Sequence, residues 1–140
     1  MHIHNIVEGK QMSNKAPMIL SILLAVGFVF FGVQKFGAEN IVFETIAERS
    51  GMAFFEPYVR RFTGVSEILA AILLLIPRTR LAGALMGLGL LVGAIGFHLS
   101  PWLGINVPTI GHFLFITACI MTVLSVINLK LLKSSGAKLF

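Results

Sequence analysis

Five polar side chains stand out in a chain that is otherwise strongly apolar: Gln34, Lys35, Glu67, His98 and His112. Glu67 is the most informative. It lies inside the apolar run 62–76, and an acidic side chain at the centre of a lipid-embedded helix costs about 2.5 to 3.5 kcal/mol unless it faces a partner. Lys35 is the matching cation, and two chemistries follow. In one, Lys35 and Glu67 form a buried ion pair that fixes packing and register. In the other, Glu67 carries or accepts a proton beside a bound head group, while Lys35 and Gln34 hold a carbonyl or an anion. The two readings are compatible. His98 and His112 are either interfacial residues hydrogen-bonded to backbone or contacts to a metal, a haem or a quinone. Two histidines on different spans at similar depth could ligate a haem, but no spacing signature supports it, which makes a haem the weaker candidate beside a quinone; the residues leave the cofactor open, and no metal site is expected.

Other reactive residues carry less. Cys119 has no second cysteine to pair with and reads as a small buried hydrophobe. His2 and His4 read as incidental. The chain has no CxxC, no phosphate-cradling glycine loop and no nucleophile triad. Thr122 and Ser125 read as helix-packing groups.

The elements that must position these residues follow from composition. Hydrophobic residues make up 56% of the 140 and charged residues 12%, with a mean hydropathy of +0.92. That balance excludes an ordinary soluble domain and marks an all-α membrane protein. The net charge of +5 reads as topology and lipid contact rather than nucleic-acid binding, because the basic residues cluster at span ends. Four segments are predicted to cross the bilayer, at about 17–36, 58–76, 81–99 and 110–129, each close to the roughly 20 residues that a span requires. Ser13 and Asn14 are capping candidates for the first, with Pro17 in its first turn. The first span is too long for a cleaved signal segment and is expected to be retained. Residues 1–15 and 134–140 are expected to be tails, the first of them disordered. Arg60 and Arg61 are expected in the first turn of the second span, snorkelling to the interface.

Basic residues orient the spans. Lys10, Lys15, Arg78, Arg80, Lys130, Lys133 and Lys138 share one side, and Lys35, Arg49, Arg60 and Arg61 the other. Seven against four places both termini in the cytoplasm. The ends of spans one and three and the starts of spans two and four then share the outer side, which gathers the five polar residues at one end. Glu67 is the deepest of them, about 9 Å beyond Arg61 by the helical rise.

The first outer loop has a pattern of its own. Asn40 can cap a short helix with Val42, Phe43, Ile46 and Ala47 on one side and Glu44, Glu48 and Arg49 on the other, ended by Gly51. Such a helix lies on the membrane surface, and residues 52–55 return the loop to apolar surroundings over the mouth of the bundle. In the third span, Gly83, Gly87, Gly89, Gly93 and Gly96 form small-xxx-small pairs. These serve close packing inside the protein, or else a face for a homo-oligomer. There is no internal repeat and no low-complexity stretch.

Residues 27–36 (GFVFFGVQKF), 64–69 (GVSEIL) and 74–84 (LLIPRTRLAGA) resemble the DoxX-like family of small four-helix membrane proteins, over most of residues 16–132. The resemblance implies a four-span bundle in a bacterial inner membrane, with Lys35 and Glu67 at the matching polar positions. The family is named for a subunit of a quinone-linked thiosulfate oxidoreductase, so the resemblance also implies a quinone or a redox-protein partner. The function expected is a small accessory or structural subunit with an outward-facing polar pocket. Its rivals are a subunit of a quinone-dependent oxidoreductase, whose histidines and Glu67 handle protons, and a small-solute or proton carrier. Broken helices and inverted repeats, the usual marks of a carrier, are missing from the sequence.

Overall fold

A computed structural model describes residues 2–139, with side chains from residue 15 onward. The chain is all-α. Its long helices are α1 (His2–Gln34), α3 (Tyr58–Leu75), α4 (Arg80–Leu99) and α5 (Phe113–Ser134), with a short α2 (Ile41–Ser50) in the first loop. Three stretches are long and apolar enough to cross a membrane: Lys15–Gln34, Pro77–Leu99 and Phe113–Ser134. Their outward surfaces are apolar, with Ile19, Leu23, Val26, Val92, Ile120 and Val123 all exposed, which is the surface that lipid requires. α3 falls short of the same standard because Arg60, Arg61 and Glu67 lie within its 18 residues.

The main packing joins the long helices in the cyclic order α1, α3, α4, α5, with a lighter contact between α1 and α4 at Phe28 and Gly87. Sequential neighbours run antiparallel: the end of α1 meets the start of α3, where Arg60 donates to the Lys35 carbonyl at 2.7 Å. The start of the apolar part of α1 meets the end of α5, where Asn128 Nδ2 donates to Ser21 Oγ at 3.0 Å. That interhelical bond is fully buried, although Asn128 Oδ1 and Ser125 Oγ beside it have no protein partner among the described residues. The central core is Leu24, Ala25 and Phe28 of α1, Ala71 and Leu74 of α3, Leu81, Ala84 and Leu91 of α4, and Met121 and Leu132 of α5.

Several boundaries differ from expectation. α1 is helical from His2 rather than disordered over residues 1–15. It runs through Ser13, Asn14 and Pro17, so these neither cap nor open it. No proline precedes residue 17, so nothing in this stretch breaks the helix. α5 begins at Phe113 instead of residue 110, because Val107 and Gly111 exchange backbone hydrogen bonds of 2.9 and 2.8 Å in a tight turn. It then continues to Ser134, beyond the expected 129.

The loop helix forms as its pattern predicts. Asn40 Oδ1 accepts from the Val42 and Phe43 amides, and Gly51 ends the helix at φ 73°, a left-handed conformation that glycine adopts without steric cost. Phe43 and Ile46 face inward, while Glu48 and Arg49 are exposed. A second apolar cluster of Ile46, Phe55, Leu103 and Val107 ties α2 to the 100–112 loop, and Arg49 Nη1 donates to the Leu103 carbonyl at 3.0 Å. The two loops therefore make one cover over that end of the long helices.

Candidate functional site

The polar residues are brought together by glycine. At the crossing of α1 and α3, Gly32 and Gly64 face each other: a Cβ on Gly64 would lie 2.9 Å from Lys35 Cβ and 3.1 Å from the Gly32 carbonyl. A Cβ on Gly32 would lie 3.2 Å from Glu67 Cβ. Only two hydrogen side chains let the backbones approach this closely, and the approach brings Lys35 within reach of Glu67. Lys35 Nζ donates to Glu67 Oε1 at 3.0 Å and Oε2 at 2.8 Å, and to the Phe31 carbonyl at 3.2 Å. An ammonium has three N–H donors, so Lys35 has none to spare. Its charge is balanced by Glu67 and its donors are taken by Glu67 and the Phe31 carbonyl.

Arg60 is the residue that sequence reasoning misjudged. It does not snorkel. Its side chain is 1% exposed, with Nε donating to Glu56 Oε1 and Oε2 at 2.7 and 2.8 Å and Nη1 donating to the carbonyls of Lys35 and Gly37 at 2.7 and 2.6 Å. The last carbonyls of a helix have no partner of their own, and a guanidinium there satisfies them and complements the helix dipole. By holding the Lys35 carbonyl, Arg60 also positions Lys35. The i, i+4 spacing of Glu56 and Arg60 was the signal available in the sequence. Arg61, next in line, is exposed as expected.

Above the ion pair lies a cavity of about 600 Å³ between α1, α3, α4 and α5, with Val42, Phe43 and Ile46 of α2 as its cover. Most of the lining is apolar, including Phe31, Leu90, Ala94, Phe97, Leu114 and Met121. Gln34, Lys35, Glu67 and His98 all line it. His98 is 5% exposed, and its Nδ1 lies 2.8 Å from the Gly104 carbonyl. A carbonyl can only accept, so Nδ1 carries a proton, and in the tautomer this selects Nε2 is an acceptor. Nε2 has no protein partner among the described residues.

His112 is not brought into this site. It is exposed in the residue preceding α5 and does not line the cavity, because the turn at 107–111 delays the helix and leaves it at the rim. Paired haem ligation by His98 and His112 is therefore not what this arrangement offers. Cys119 is half-buried and lies outside the lining.

The hydrogen-bonding inventory is lopsided. Deep groups with spare capacity are acceptors: the remaining lone pairs of Glu67 and His98 Nε2. Thr63 and Thr117 also line the cavity, but their hydroxyls donate to Val59 and Phe113 carbonyls at 2.8 and 2.7 Å. Gln34, exposed at the mouth, and the Nδ2 of Asn40, whose Oδ1 caps α2, are the uncommitted amide groups of the outer lining. Such a site suits a neutral molecule with an apolar body and an O–H or N–H head, and offers nothing to neutralise an anion.

A family model described as the DoxX-like family matches residues 19–122, a stretch that holds Gly32, Lys35, Arg60, Gly64, Glu67 and His98. The chain belongs to the DoxX-like family. No curated protein and no solved structure matches it. Membership makes this DoxX-like chain a small multi-pass membrane protein, and its exposed apolar helices are the faces that contact lipid.

Proposed function

We propose that this protein is a small bacterial inner-membrane subunit in which all four long helices cross the bilayer as a bundle, both termini are cytoplasmic, and the covered cavity at the outer end binds a neutral, membrane-soluble molecule through a hydroxyl-bearing head. α3 serves as the fourth span because two of its three charges are removed from lipid, Arg60 by Glu56 and Glu67 by Lys35, and Arg61 sits in the first turn. The basic residues support the orientation, seven against four. Reporter fusions at Lys138 and near Glu48 should read cytoplasm and exterior respectively, and the reverse pattern would move the cavity to the inner side.

The observation that carries the binding reading is the pairing of a neutralised Lys35–Glu67 couple with an unpartnered His98 Nε2 in one largely apolar cavity of about 600 Å³. That volume suits a small organic head. The hydroquinone form of a membrane quinone has the matching chemistry: two O–H donors on a flat apolar ring, for Glu67 and His98 to accept. This supports an accessory role beside a quinone-linked redox complex rather than a purely structural one.

Trp102, the sole tryptophan, stands 6.5 Å from Phe97 between ring centroids, and Phe97 lines the cavity, so its fluorescence reports occupancy. Purified protein titrated with decyl-hydroquinone should show saturable quenching. Glu67→Gln and His98→Ala should each weaken binding by about tenfold or more, the loss of one hydrogen bond to a charged or buried acceptor, with circular dichroism unchanged. Equal affinity in wild type and both variants would leave the constellation a packing role only.

A further inference from the structure

We propose that the cavity is entered from the lipid through an opening at Gly89 and Gly93 of α4, and that its ligand carries an apolar chain which lies in that opening. The proposal rests on the binding reading above and adds the route and the tail. The glycines of α4 fall into two groups. At Gly83 a Cβ would lie 2.6 Å from the Leu74 backbone nitrogen, and at Gly87 one would lie 2.7 Å from the Phe28 ring. These two are packing glycines. At Gly89, Gly93 and Gly96 a Cβ would meet nothing within 4 Å, and all three are exposed on one face of the helix. Their small size serves no contact within the chain.

Gly89 and Gly93 also line the cavity, whereas Gly96 does not. Residues that are exposed and line the cavity mark where it opens: Gln34, Glu39 and Ile110 do so at the end under the loops, and Gly89 and Gly93 do so near the middle of a stretch long and apolar enough to cross a membrane. The surface around them is apolar, with Leu85 and Val92 exposed, so the opening faces acyl chains rather than water. The opposite, aqueous end is narrowed by α2, which Arg49 latches to the Leu103 carbonyl, and the exposed lining residues there, Gln34 and Glu39, are polar, so that mouth suits water rather than an acyl chain. Inside, Leu90, Ala94 and Ala118 continue the apolar wall toward His98, whose unpartnered Nε2 is the polar end of the path. A head group can hydrogen-bond there while its chain stays in the lipid-facing gap. The other occupant that a glycine stripe suits is a helix of a second copy.

The test uses nanodisc-embedded protein and two probes with one head group, a methyl-hydroquinone and a decyl-hydroquinone, read by Trp102 quenching. Gly89→Leu and Gly93→Leu place bulk at the opening, where an added Cβ meets no neighbour within 4 Å, and Gly96→Leu is the control on the same stripe. The milder Gly93→Ala covers the case in which leucine perturbs folding. Expected is a Kd for the decyl probe raised at least tenfold by Gly89→Leu and Gly93→Leu, raised less by Gly93→Ala, and unchanged by Gly96→Leu, with the methyl probe unaffected throughout. Unaltered decyl binding in the leucine variants, or equal loss of both probes, overturns the entrance while leaving the binding reading in place. Wild-type protein that binds neither probe overturns both. A stoichiometry of two in wild type that falls to one in all three leucine variants, Gly96→Leu included, assigns the stripe to a second copy and overturns the proposal.

Discussion

Arg60→Ala is expected to destabilise the protein by about 3 to 5 kcal/mol, the usual range for removing one partner of a buried charge pair. The guanidinium is almost wholly buried and binds three groups at once: the Glu56 carboxylate and the Lys35 and Gly37 carbonyls. Alanine leaves the carboxylate without its cation and the carbonyls at the end of α1 without donors, in a place that water reaches poorly. The α1–α3 crossing should loosen with it, because Arg60 is the clamp at that end. Arg60→Lys should recover only part of the loss, since an ammonium cannot reproduce the planar fork that serves carboxylate and carbonyls together. Unfolding in mixed micelles against increasing dodecyl sulfate is the measurement. A midpoint for Arg60→Ala equal to wild type would show that these acceptors find other donors.

Glu67→Ala should cost about 3 kcal/mol, the lower end of the same range, because the Lys35 and Glu67 side chains are 14% and 13% exposed and the cavity gives them some relief. The variant strands the Lys35 ammonium with the Phe31 carbonyl as its one remaining acceptor. The double change Lys35→Met with Glu67→Leu should recover much of the stability, since replacing both members of a buried pair with apolar residues of similar size is often neutral. The recovery is read as the coupling term of a double-mutant cycle. A double variant as unstable as the sum of the two single ones would mean no coupling, and the ion pair could not be what holds this crossing. In the same cycle, the double variant should lose hydroquinone binding even though it is stable, which separates the role of Glu67 as an acceptor from its role in packing.

Much of this could be read along the chain because it depends on neighbours in sequence. Hydrophobic runs of bilayer length mark the spans regardless of what they pack against. Asn40 and Gly51 delimit α2 through local backbone geometry. The partnership of Lys35 with Glu67 was legible too, because a carboxylate in an apolar segment demands a cation and few are on offer. By contrast, the function of Arg60 was misread: a basic residue at a span end looks the same whether it reaches for water or for the carbonyls of another helix. The five glycines of α4 were likewise indistinguishable by spacing. Gly83 and Gly87 are pressed against Leu74 and Phe28, while Gly89, Gly93 and Gly96 face open space.

By itself, then, the sequence determined an all-α membrane protein, the apolar runs that its long helices contain, the capped loop helix and the need for an ion pair, since each follows from solvation and local backbone preference. The tertiary structure alone decided the rest. Gly32 opposite Gly64 set the distance between α1 and α3 and hence the reach of Lys35; the tight turn at Val107 and Gly111 kept His112 out of the cavity, and the loop before it set the Gly104 carbonyl against His98. Whether a small residue closes a gap or opens one depends on what stands across from it, and that is a property of the packed helices, not of any one of them.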